Sequence, residues 1–482
     1  MGQLTPINLT SGSNRSRHDF EATARLINCY RESLGPGAKH QFALYAINGW
    51  SSYATLTGAS GGVGAMLSLD TELLVSAGRQ VYSVSPSQTV TLVGGFASDG
   101  LTTMARNRQS PNPQAVIVRD GQWAYYQDGT LTLGSDPDLR APIYVIEKDG
   151  YFIFLAADGT ITISGIDAIT IDGLDFANAQ RDSDGGVALA TRGNDVLIFG
   201  QRSTEFWVNT GAADFPFEPQ TYRGYGCYAA GSVSEITALV GGTMVDSVVW
   251  CATDEQGAFS GVYLLSGYEG QKISTYEIDR IIGDDPMPKN IRSYGWTEDG
   301  HSFVAITGTS YTWVYDTVER AWHERKSADL DYWRVSAHAS FDGKVLFGDS
   351  EGGTLYQSDR SLFDAVGTNV DMQMWLPITH AWPYNLVCNR LRADAVTGVG
   401  LTSTDTHLSD PQIMMDVSRD GGRHFGAVRH RPLGADGQNL RVPEWHGLGM
   451  IPGQGMVIRL RISAGVRRCV MGVAIDAERL AA

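Results

Sequence analysis

Residues 143–164 read IYVIEKDGYFIFLAADGTITIS, and this one line carries the grammar of the whole chain. Asp149-Gly150 and Asp158-Gly159 punctuate three short runs of β-branched and aromatic residues. An Asp-Gly pair favours the positive φ angles of a tight hairpin turn. Short runs of this composition between such turns are strands, and their succession leaves no helix between them. Working outward, Asp-Gly recurs at Asp99, Asp120, Asp128, Asp172, Asp184, Asp299 and Asp342, and again at Asp420 and Asp436. The chain is predicted to be all-β.

The strands fall into about seven groups, from ELLVSAGRQVYSVSPSQTVTLVGG to RVSAHASFDGKVLFGDSEGGTLYQSD. Most groups carry an aromatic strand: Val81-Tyr82, Ala124-Tyr125, Val262-Tyr263, Trp313-Val314, Leu355-Tyr356. Groups of about 25 to 50 residues with a repeated aromatic have the pattern of propeller blades, although six or eight blades fit nearly as well. The propeller is assigned to residues 61–367. Residues 1–60 are read as an N-terminal arm holding one helix, DFEATARLINCYRE, with Asp19 as its N-cap. Residues 368–482 keep the hairpin turns without the blade spacing and read as a separate β-sandwich-like or jelly-roll domain.

Within one blade, DVLIFGQRSTEFWVNTGAADFPFEP at 195–219 reads as a hairpin. Val196, Ile198, Phe206 and Val208 lean one way, and a turn runs from Gly200 to Thr204. Phe215-Pro216-Phe217-Glu218-Pro219 cannot be a central strand, because proline lacks the ladder donor. It reads as an extended connector presenting two aromatics, a core latch or a docking surface.

Composition bounds the function. At 482 residues, 43% hydrophobic and 19% charged, the chain can bury a sizeable core. MGQLTPINLTSGSNRSRHDF has no apolar leader, Pro6 spoils a myristoylation site, and no run reaches the length of a membrane span. The scattered Cys29, Cys227, Cys251, Cys388 and Cys469 read as reduced thiols. The net charge of −16 argues against an outer surface that grips nucleic acid. From Asn369 onward there are 12 Arg, no Lys and 10 carboxylates, a net +2 that leaves −18 on residues 1–368. Arginine without lysine suits ion pairs at an interface. Arg429, Arg431, Arg441, Arg459, Arg461, Arg467 and Arg468 are therefore a candidate interface set, the alternative being a solvated sandwich kept soluble by them.

Chemistry is sparse. GASGG at 58–62 matches a nucleophile elbow around Ser60, but strands rather than a helix follow it. DSDGG at 182–186 starts like a calcium loop, yet Gly193 stands where a glutamate is required. His424 and His430 have no cysteine pair to complete a zinc site. Ser418, Asp420 and Gly422 in VSRDGGRHF resemble a sialidase Asp-box, which is a structural turn. The 11 tryptophans read as blade cores before a sugar platform. No catalytic set, cofactor or metal is expected. A propeller glycosidase or glycan-binding module stands as the alternative.

Leu26-Ile27-Asn28-Cys29-Tyr30-Arg31-Glu32, followed by Ala43-Leu44-Tyr45, resembles the opening of the tail hub proteins of short-tailed phages, also called packaged-DNA stabilisation or tail nozzle proteins. Asn48-Gly49 stands where that family usually has Pro-Gly. GRQVYSV at 78–84 is similar to a shared run. So are Gln201–Trp207 with Thr204 and Glu205, then Phe215-Pro216-Phe217-Glu218, Gly226-Cys227 and Ala229, in order and spacing. SRDGGRHFGAVRHRPLGADGQ, with Val442, Trp445, Leu448 and Gly449, resembles the family's last domain. The resemblance implies that Asn28, Tyr30, Glu32, Thr204, Glu205, Phe215, Pro216, Phe217 and Gly226 are framework. It implies a homo-hexameric virion ring, built in the host cytoplasm, at the end of the tail. The ring would sit below the portal and adaptor proteins and bear tail fibre or needle proteins. Viral DNA would pass through without sequence-specific binding and be retained until ejection, with no membrane partner.

Overall fold

A computed structural model describes residues 3–480 except 180, 214 and 241, so the Met1-Gly2 opening weighed for acylation lies outside them. Seven antiparallel sheets follow one another around a ring. Blades 1 to 6 span residues 63–95, 102–133, 142–178, 188–223, 226–272 and 292–324, and blade 7 begins with residues 335–359. The inner strands of neighbouring blades pack side by side, and Val335–Phe341 of blade 7 meets Val63–Ser68 of blade 1 to close the circle. The aromatic repeat marks the third strand of its blade. Tyr82, Tyr125, Tyr263, Trp313 and Tyr356 lie on Gln80–Val84, Gln122–Gln127, Phe259–Ser266, Thr312–Asp316 and Thr354–Asp359. Asp120-Gly121, Asp128-Gly129, Asp149-Gly150, Asp299-Gly300 and Asp342-Gly343 have positive φ at both residues, as hairpin turns of this type require.

The expectation of an N-terminal arm is corrected by the sheet that ends the ring. Gly49–Thr55 is the fourth strand of blade 7, antiparallel to Thr354–Asp359 with Leu355 opposite Ala54. The expected helix at 19–32 is also overturned. Thr23–Ile27 and Cys29–Ser33 are strands, separated by Asn28 at φ 54°. The helix-forming residues there are overridden by partners far along the chain. The longer helix lies elsewhere, at Tyr276–Gly283.

These N-terminal strands complete the C-terminal unit. One sheet runs Cys29–Ser33, Phe42–Ala46, Cys469–Arg479, Leu386–Ala395, Glu444–Ile451, with Thr5–Ile7 also pairing with Cys469–Arg479. The facing layer runs Thr23–Ile27, Met372–Trp375, Val457–Ile462, Gln412–Ser418, Arg429–Pro432. Between them lies a core that includes Leu26, Met374, Leu391, Trp445 and Leu460. The second layer also runs on into blade 6, because Ile27 pairs in parallel with Glu324. A boundary at residue 60 or 368 therefore cuts through folded sheet. The unit is a two-layer sandwich built from both ends of the chain.

Candidate functional site

The residues singled out around 200–226 are wall. In blade 4 the register sets Val196 opposite Trp207, Leu197 opposite Phe206 and Ile198 opposite Glu205. Val196 and Ile198 thus share a face with Trp207 rather than with Phe206, which corrects the expected grouping. Val196, Ile198, Trp207 and Phe217 pack toward blade 3, while Leu197, Phe199 and Phe206 pack toward Trp250 of blade 5. Glu205 is buried and both oxygens are used: one accepts the Arg181 N–H at 3.0 Å, the other the Trp207 indole N–H at 2.8 Å. The Thr204 hydroxyl donates to the Tyr225 carbonyl at 2.6 Å. Phe217–Arg223 is an edge strand rather than a connector, which is where proline at 219 is tolerated. Phe215 packs edge-on to Trp207, and the Pro216 carbonyl accepts the Thr210 N–H at 2.7 Å. Gly226 passes so close to the 201–202 backbone that a Cβ would lie 2.4 Å from the Gln201 carbonyl carbon. Only glycine fits.

Asn28, Tyr30 and Glu32 sit where blade 6 meets the sandwich. The Asn28 amide donates to the carbonyls of Lys326 at 3.0 Å and Asp371 at 3.1 Å, and its oxygen accepts the Lys326 N–H at 2.8 Å. Its backbone bonds Glu324 and Ile47. Tyr30 packs edge-on to His301 and Phe303. His301 bonds Asp316 at 2.6 Å, and the Glu32 carboxylate stands 3.9 Å from its other nitrogen. Burial opposes a charge on His301, but the Asp316 bond outweighs it and the pKa rises. Behind this pair, buried Arg325 lies among Trp296, Trp333 and Phe303 at 4.7, 4.7 and 5.3 Å, and its Nε donates to His323 at 3.4 Å. Its charge rests on aromatic faces. Sequence reasoning missed Arg325 and His301, because nothing local brings 301, 325 and 30 together.

The seven arginines do not form one free set. Arg459 holds Asp416 through two bonds at 2.8 and 2.6 Å, and Arg461 reaches the same carboxylate at 3.2 Å. Arg468 is buried and donates to the carbonyls of Val370 and Phe363, a rivet between sandwich and blade 7 that burial brings down to a pKa of about 10. That corrects its assignment to an outer interface: its guanidinium is spent on carbonyls of the same chain. Arg429 and Arg431 donate across to carbonyls of the other layer, at His446 and Glu444, and Arg441 donates to Gln438. Arg467 is exposed.

The motifs of the rival reading have structural partners. Ser60 Oγ donates to Gln80 at 2.6 Å. Asp184 accepts the Arg202 N–H and the Ser203 hydroxyl, capping the neighbouring turn. Asp420 accepts from Ser418, Arg423 and His424 within its own loop. His430 is exposed on the strand Arg429–Pro432. Nine tryptophans are buried, Trp375 packs against Phe425, and only Trp382 is largely exposed. Among the described residues no cluster could hold a metal ion, and no helix is long and apolar enough to cross a membrane.

Two cavities open on the propeller, the first among inner strands and the second among the turns that connect the blades. One of about 520 Å³ is lined by Glu235, Asp246, Thr297 and His338, and one of about 990 Å³ by Asp99, Asp120, Lys289 and Arg292. Such volumes suit a drug-sized molecule at most.

A closed ring of seven sheets, locked to a sandwich through Asn28, Tyr30 and Arg468, defines a β-propeller with an attached sandwich. The chain belongs to the family described as Bacteriophage P22 Gp10, beta-propeller, whose family model matches residues 5–362. It is accordingly a bacteriophage structural protein of the virion tail. The stretch resembling the family's last domain lies beyond the matched residues. No curated protein matches the chain. Among solved structures, the WD40 β-propeller domain of Doa1 is similar at 12% identity over 64% of this chain and 97% of its own, with a TM-score of 0.39. Virginiamycin B lyase from Staphylococcus aureus is similar at 12% over 63% and 96%, TM-score 0.43. The designed Ika8 protein is similar at 15% over 64% and 100%, TM-score 0.36.

Proposed function

We propose that this chain forms a homo-hexameric hub at the end of a short phage tail, below the portal and adaptor rings, and that the ring retains packaged DNA and continues its exit channel. Tail fibre or needle proteins would attach to it, and assembly would take place in the host cytoplasm. The observation that carries the reading is the family match, which spans the N-terminal strands and all seven blades. In a ring of copies DNA would pass through the centre of the ring, between copies, rather than through one propeller. The −18 on residues 1–368 suits a wall along which phosphates slide without sticking. Neutralising lumen-facing carboxylates should then slow ejection, and unchanged rates would remove the acidic-wall idea.

The test is to produce particles without this chain. They should package DNA normally and then lose it, measured as encapsidated DNA over time. Genome retention equal to wild type would overturn the retention role. The glycosidase alternative predicts turnover of sialosides or other glycosides by purified chain; we expect none, and turnover abolished by one Asp, Glu or Tyr substitution would reinstate it.

A further inference from the structure

Trp382 is 71% exposed, alone among the tryptophans. It stands in the loop 377–385, PITHAWPYN, which contains no carboxylate. Beside it Tyr384 is 42% exposed, and the Arg479 guanidinium lies 3.6 Å from the centre of the Tyr384 ring. The loop is pinned: Asn385 accepts from Leu480 N–H at 3.1 Å through its carbonyl and from Gly453 N–H at 2.8 Å through its side chain. Tryptophan, tyrosine and arginine held rigidly at the surface are the residues that dominate binding energy at interfaces. The ledge is cationic and aromatic.

A surface of opposite character lies on blade 3. Its outer strand, Ile171–Asn178, breaks register between Ile171 and Phe176, so residues 172–175 bulge from the sheet. Leu174 is 83% exposed on this bulge and Phe176 is 46% exposed beside it. Leu174 N–H donates to Asp172 at 3.0 Å, and Asp138 packs so close over Gly173 that a Cβ there would meet its carboxyl carbon at 2.7 Å. Asp172 and Asp175 lie in the bulge itself and Asp138 packs over it, so carboxylates surround the knob. An apolar knob in an acidic field is the chemical complement of an aromatic ledge bearing a cation.

We infer that the Leu174 bulge of one copy docks on the Trp382–Tyr384–Arg479 ledge of the next. The two surfaces are different parts of one chain, so the contact is head-to-tail, the kind that closes into a ring when the rotation permits. This deepens the proposed function and rests on its ring. Charge complementarity selects a second copy as the occupant.

The experiment uses the full chain and native mass spectrometry. One variant loses the knob (L174S with F176S), and another loses the ledge (W382A with R479E). Each should be monomeric where wild type forms rings, with an unchanged circular dichroism spectrum. Mixed together they should give a one-to-one dimer and nothing larger, because only one intact knob and one intact ledge remain to meet. Rings that persist in either variant, or a mixture that stays monomeric, overturn this contact while leaving the ring reading intact. Wild type that stays monomeric at tens of micromolar overturns the ring and the contact together.

Discussion

Asn28 places one amide where the N-terminal strands, the exit of blade 6 and the entry to the sandwich converge. Its backbone at φ 54° is tolerated by asparagine better than by most residues. N28A should strand a buried N–H and two carbonyls, lowering stability by about 3 kcal/mol in chemical denaturation. The cysteines give a second residue-scale outcome. All five are buried, and burial pushes the thiols of Cys29, Cys227 and Cys469 up to about 12 and of Cys388 to about 11. A thiol reagent at pH 8 should label none of the five in the folded chain and all five after denaturation. The sign of the linkage follows. A folded pKa raised above the unfolded 9.0 contributes stability below pH 9 that is lost as pH climbs toward 12. The scattered cysteines already read as free thiols in the sequence. Their burial depended on which face of each strand turned inward, and that is set by pairing.

At the scale of elements, a strand from each end of the chain has its partner near the other. Gly49–Thr55 closes blade 7, and removing residues 1–60 would bare the edge of Thr354–Asp359. That truncation should aggregate, whereas removing only residues 1–4 should leave a soluble chain; sedimentation of the two separates the outcomes. Deleting 368–482 would not give a clean propeller, because Leu26, Cys29 and Leu44 would lose the core they pack in. Blades were legible because turns and aromatics repeat locally. The stretch 19–32 was misread because Glu, Ala, Arg and Leu favour a helix until distant strands offer ladder bonds. Tyr276–Gly283 carried its signs, Thr275 before it and Ile278, Ile281 and Ile282 on one face, but is only 8 residues long.

For the whole molecule, the shared sheet decides how it melts. Blade 6 runs through Thr23–Ile27 into the sandwich, and Arg468 rivets the sandwich to the carbonyls of residues 363 and 370. Propeller and sandwich should unfold in one calorimetric transition, with calorimetric and van't Hoff enthalpies agreeing; two resolved peaks would show that the units are independent. The sequence offered a charge contrast between body and C-terminal unit but not this fusion, because the parallel pairing of Ile27 with Glu324, the Asn28 bonds to residues 324 and 326 and the Arg468 rivet all join residues far apart in the chain.

The late partner of Gly49–Thr55 also imposes a schedule on biosynthesis. This strand leaves the ribosome about 300 residues before Thr354–Asp359 exists. At about 5–20 residues per second it waits on the order of 15 to 60 s, and Cys29–Ser33, which needs the Phe42–Ala46 and Cys469–Arg479 ladder to be fully framed, waits longer. The blades can form in order of translation, but the circle stays open until Thr354–Asp359, near residue 360 of 482, has been made. A nascent chain with unpaired apolar edges for that long should be sensitive to aggregation until its late strands arrive.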